Sequence, residues 1–84
     1  MHITLTSGEM AELFRQHPST KGDGGFQSLM VKIQTRTNHA TGELTLTPPL
    51  LERIPRYAFD YGNGGWENRL MAIFSRSLGP SLGR

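Results

Sequence analysis

The chain contains no cysteine. Disulfides and thiolate-bound metals are therefore excluded, and an intracellular, cytoplasmic setting is expected. Long apolar runs are also missing, so no segment is expected to span a membrane. Met1-His2-Ile3-Thr4 offers no basic stretch leading into an apolar one, so no secretory leader is expected there. Charge of one sign is scarce. Nine basic and seven acidic residues leave a net charge of +2, too little by itself to demand a nucleic-acid partner. Hydrophobic residues make up 36% and charged residues 19%, both a little low for a compact globule. The 84 residues suffice for one domain, 1–84, with a small core and no room for a deep substrate cavity beside it.

Recognisable catalytic constellations are lacking too. The three histidines, His2, His17 and His39, share no ligand spacing on one element, so no metal site is expected. The serines have no nucleophile-elbow context. Glu9 and Glu12 read as a capping residue and a solvated face. Asp60, among aromatics, reads as a cap or as the ion-pair partner of an arginine such as Arg56. No catalytic residue and no cofactor is expected, and the chain reads as a non-enzyme.

What is present is a phrase written twice. Gly22-Asp23-Gly24-Gly25-Phe26-Gln27 recurs as Gly62-Asn63-Gly64-Gly65-Trp66-Glu67. Each copy runs into apolar residues at helical spacing, Leu29, Met30 and Ile33 after the first, Leu70, Ile73 and Phe74 after the second. Upstream of each lies a short alternating segment, residues 2–6 and 43–47, that reads as a strand. The two strands should pair, because a lone strand leaves its amides and carbonyls unmatched. Thr6-Ser7-Gly8-Glu9 is a capping box opening a first helix that Pro18 ends near Gln16. Residues 19–25 form a loop, and a second helix runs from about Gly24 to Thr37. Thr47 with Pro48-Pro49 opens a third helix. Pro55 is expected to split it into a short turn, 48–53, and a second piece, 55–61. A fourth helix covers about Gly65 to Ser77, and residues 79–84 read as a flexible, frayed tail.

The copies lie about 40 residues apart, a spacing typical of duplicated helical hairpins. The expected fold is mainly α with a small two-stranded sheet: a pseudo-twofold pair of helix–loop–helix units spanning about 2–37 and 43–78. Gly-rich loops before helices can hold anions. Neither copy has P-loop or dinucleotide spacing, however, and Asp23 would repel an anion and suits a cap. The loops read instead as tight entries that anchor Phe26 and Trp66.

The candidate recognition surface lies in the second half. Arg53 and Arg56 sit on the third helix, and Arg69 and Arg76, seven apart, share a face of the fourth. With Tyr57, Tyr61 and Trp66 they make a basic, aromatic set of the composition enriched at binding hot spots. The alternative is a solvated face balanced by Glu52, Asp60 and Glu67.

The run from Glu52 to Glu67, Glu-Arg-Ile-Pro-Arg-Tyr-Ala-Phe-Asp-Tyr-Gly-Asn-Gly-Gly-Trp-Glu, with Gly24-Gly25-Phe26-Gln27-Ser28-Leu29 upstream, resembles a family of small uncharacterised proteins from bacterial mobile elements and prophages. Such elements carry short proteins that block host defences, anti-CRISPR inhibitors among them. The resemblance implies a stoichiometric inhibitor that binds a host protein or ribonucleoprotein complex. A small helix-turn-helix-like DNA-binding regulator is the alternative, and a phosphate-handling enzyme built on the glycine loops comes third.

Overall fold

A computed structural model describes the whole chain, Met1–Arg84. In order come β1 (His2–Thr4), α1 (Ser7–Leu13), a 3-10 turn (Pro18–Gly22), α2 (Gly25–Thr35), β2 (Glu43–Thr45), α3 (Pro48–Phe59) and α4 (Gly64–Leu78). The architecture is mainly helical with one two-stranded antiparallel sheet. The order strand, helix, helix occurs twice, but the halves differ in size. α1 has 7 residues where α3 has 12, and α2 has 11 where α4 has 15. No helix is long and apolar enough to cross a membrane.

The sheet pairs His2 with Thr45, Ile3 with Leu44 and Thr4 with Glu43. Alternation puts Leu44 inside while Glu43 and Thr45 face out. The turn before β2 is set by Asn38, whose side-chain oxygen accepts from the Ala40 amide at 2.8 Å. Gly42 follows at φ +78°, and a Cβ there would lie 2.4 Å from the Leu5 carbonyl oxygen. Only glycine meets both demands. Its carbonyl accepts from the Leu5 amide at 2.9 Å, tying the turn to the end of β1.

α1 begins with the expected capping box. The Thr6 hydroxyl accepts from the Glu9 amide at 3.2 Å, and the Glu9 carboxylate accepts from the Thr6 amide at 2.9 Å. Glu9 has a second task. Its carboxylate also accepts from Arg76 Nε at 3.0 Å and from Nη2 at 2.8 Å. Arg76 reaches on to the Thr4 carbonyl. One buried acid thus joins the end of β1, the start of α1 and the last turn of α4. The hydrogen-bonded Arg76 guanidinium, helped by the Thr6 amide, holds the Glu9 carboxyl below its ordinary value of 4.5 against the opposing effect of burial. A depressed acid contributes stability that is complete above the ordinary value and is lost as pH falls through the folded-state value. The melting temperature of the wild type should therefore exceed that of Glu9→Gln near neutral pH, and the gap should close as pH drops below 4.5. A gap that stays constant down to about pH 2.5 would contradict this role.

α3 differs from expectation at Pro55. The helix is not split there but runs unbroken from Pro48 to Phe59. Leu50, Ile54 and Ala58, four residues apart, are all buried in the core on both sides of the proline. Packing along that stripe outweighs the lost hydrogen bond and ring clash, which cost about 3 kcal/mol. Residues 79–84 also differ from the frayed tail expected of them. The chain turns at Gly79 (φ +89°), and Leu82 is fully buried in the core cluster. Arg84 then grips Asp60 with two hydrogen bonds, at 2.6 and 2.7 Å. Asp60 therefore pairs with Arg84, whereas Arg56 pairs with Glu52. Arg84 holds the Asp60 carboxyl below the usual carboxylate range.

Candidate functional site

The two glycine phrases meet. Phe26, at the start of α2, stacks on Trp66, at the start of α4, with centroids 5.0 Å apart and planes 4° from parallel. Phe26 is fully buried, Trp66 only partly. Trp66 therefore caps the core rather than filling it. Tyr57 from α3 meets the Trp66 edge at 5.8 Å and stacks on Tyr61 at 5.0 Å. The Tyr57 hydroxyl projects over Gly25, where an added Cβ would come within 1.9 Å of the oxygen. The glycine in the first phrase is needed because a tyrosine beside the second phrase occupies its space.

The entry chemistry of the loops is not identical. Asn63 caps α4 by accepting from the Trp66 amide at 3.1 Å. Asp23, expected as the matching cap of α2, instead closes the 3-10 turn, and Gly24 takes the cap position without a side-chain bond. Neither glycine loop lines either of the two concavities on the surface. One concavity, of about 280 Å³, is apolar and lies beside Phe14, Val31 and His39, whose ring packs on Phe14 at 4.0 Å. His17 caps the 3-10 turn and His2 faces Glu43, so the histidines lie apart.

The structure divides the seven recognition residues expected from sequence. Arg69 and Arg76 face α1. Arg69 donates to Glu12 at 3.3 Å and to Gln16 at 2.7 Å, and its guanidinium lies 5.4 Å from the Phe26 ring centre. Arg76 is matched by Glu9. Both stitch α4 to α1, and their charge is neutralised within the fold. Tyr57, Tyr61 and Trp66 form one aromatic junction between the end of α3 and the start of α4, and Arg53 and Arg56 lie beside Tyr57 in sequence on α3. Arg56 lies against the Tyr57 ring, 5.7 Å from its centre. Tyr61 is 54% exposed despite its stack on Tyr57.

Two residues missed in the sequence join this face. Of nine basic residues, Arg15, Arg56, Arg69, Arg76 and Arg84 have carboxylate partners. Lys21, Lys32, Arg36 and Arg53 have none. Three of these four, Lys32, Arg36 and Arg53, line one groove of about 350 Å³ between the end of α2 and the start of α3. No carboxylate lines it, and the nearby Thr47 hydroxyl makes no capping bond. A signal was present in the sequence: residues 24–42 contain no acid at all. The tertiary pairing of α2 with α3 is what gathers the cations. On α3, Pro49, Arg53 and Tyr57 recur every four residues, so the groove and the tyrosine stack share a helix face. In comparisons with known proteins, no family model, curated protein or solved structure matches the chain.

Proposed function

We propose that the chain is a non-enzymatic binding module that recognises a macromolecular partner through the α3 face carrying Arg53, Arg56, Tyr57, Tyr61 and Trp66. The favoured partner is a bacterial defence complex of the CRISPR-Cas ribonucleoprotein kind, which the chain inhibits by occupying it. The observation that carries the reading is Tyr61, an aromatic ring left half in solvent yet fixed by stacking on Tyr57 and by the edge of Trp66. A large ring held rigid before binding loses little entropy on docking. The resemblance to small mobile-element proteins supports the choice of partner. Affinity purification from a bacterium carrying defence systems, with quantitative mass spectrometry, tests it. The wild type should recover a defence complex in near-stoichiometric amount, and Tyr61→Ala with Arg53→Ala should reduce recovery about tenfold while the variant remains folded by circular dichroism. Equal recovery by both proteins, or recovery of no complex, would sink the proposal. The unmatched cations keep the DNA-binding regulator as the second reading. It requires binding to duplex DNA that weakens steeply with salt.

A further inference from the structure

We infer that the groove of Lys32, Arg36 and Arg53, together with the Tyr57–Tyr61 stack, forms a site for single-stranded nucleic acid. The inference rests on reading the α3 face as the binding surface and specifies what that surface holds. Two independent features converge there. The first is charge. Every other arginine in the chain has a carboxylate partner, while these three cations share one groove that contains no acid. Unmatched like charges brought together repel one another, and an anion between them removes that cost.

The second feature is the exposed ring. Tyr57 lies one turn beyond Arg53 on the same face, about 6 Å along the helix, and Tyr61 stacks on it. A positive groove one helical turn from aromatic faces is the arrangement that binds single strands: the cations track phosphates and the rings receive unpaired bases. A duplex keeps its bases stacked inside and offers these rings nothing. An acidic peptide uses the cations but leaves the flat face of Tyr61 without a partner. Thr47, whose hydroxyl makes no capping bond, supplies a neutral donor at the groove wall.

The test is fluorescence anisotropy with labelled RNA and DNA single strands of about 12 nucleotides, a DNA duplex of the same sequence, and inorganic phosphate as competitor. Micromolar binding of the single strands is expected at low salt, with the duplex weaker. The slope of log affinity against log salt should be about −2, as three phosphate contacts give. Lys32→Ala/Arg36→Ala/Arg53→Ala should raise Kd more than about tenfold and flatten that slope. Tyr61→Ala should raise Kd about tenfold with the slope unchanged, and Arg15→Ala should change neither. RNA binding tighter than DNA marks contact with the 2′-hydroxyl, and equal affinity marks backbone and base stacking alone; both uphold the site. Absence of single-strand binding at low salt overturns it, as does equal affinity in the triple variant or tighter binding to the duplex. Competition by millimolar phosphate as strong as that by unlabelled strand reduces the site to a simple anion pocket and overturns it as well. If the chain captures a defence complex but binds no strand, this inference fails while the binding-module reading stands. If it does neither, both fail.

Discussion

Leu82→Ala should lower stability by about 3 kcal/mol, the usual cost of truncating a fully buried leucine in a core that cannot collapse around the gap. For a domain of this size that is a melting temperature lower by roughly 15 °C. The residue lies two positions from the end of the described chain, in a stretch whose sequence, Gly79-Pro80-Ser81-Leu82-Gly83-Arg84, has the composition of a loose end. Yet its side chain has no exposure and belongs to the same cluster as Phe74, Ile73 and Ile54. An 84-residue domain holds only about 4–12 kcal/mol in total, so a loss of this size reaches much of it. Arg84→Ala makes the control. It breaks an exposed ion pair with Asp60, which solvent screens, and should leave the melting curve nearly unchanged. If Leu82→Ala melts like the wild type, residues 79–84 do not close the core.

Gly25→Ala should destabilise by about 2 kcal/mol, although alanine ordinarily favours a helix over glycine by about 1 kcal/mol. The new methyl would overlap the Tyr57 hydroxyl. The tyrosine cannot simply swing away, because its ring is held between Tyr61 and the Trp66 edge. The clash therefore spreads into the whole aromatic junction. Combining Gly25→Ala with Tyr57→Ala tests the cause. The double variant should be more stable than the sum of the two single losses predicts, by about 1–2 kcal/mol, since the second change removes what the first collides with. Strict additivity, or a higher melting temperature for Gly25→Ala alone, would place the Tyr57 ring elsewhere. Gly25→Ala should also weaken partner binding, because the tyrosine stripe moves with Tyr57.

The elements themselves were legible because they depend on neighbours in sequence. Thr6 and Glu9 are three residues apart, and their capping box can be written down from the chain alone. The alternation of residues 2–6 and 43–47 marks both strands. The twin phrase marks both helix entries. What the sequence hid is set by contacts across the fold. Pro55 looks like a break until Leu50, Ile54 and Ala58 are seen to share one buried face. Leu82 looks frayed until its side chain is found fully buried in the core cluster. Arg69 and Arg76 look like a free basic face because their partners, Glu12 and Glu9, lie more than fifty residues away. A shorter separation, across the turn and β2, conceals the groove: Lys32 and Arg36 mean little until α3 brings Arg53 beside them.

The twin phrase thus has a structural task, joining the two halves through Phe26 and Trp66, while the adjoining face of α3 carries the half-exposed Tyr61 ring and the unpaired charge of Arg53. The most direct measurement is a nitrogen-15 NMR titration of the chain with the single-stranded RNA. The amide shifts should move at Lys32, Arg36, Thr47, Arg53, Tyr57 and Tyr61, and hold still at Glu9, Glu12, Arg69 and Arg76. Shifts centred on the α1–α4 seam, or none at all at saturating RNA, would contradict single-strand recognition by the α3 face.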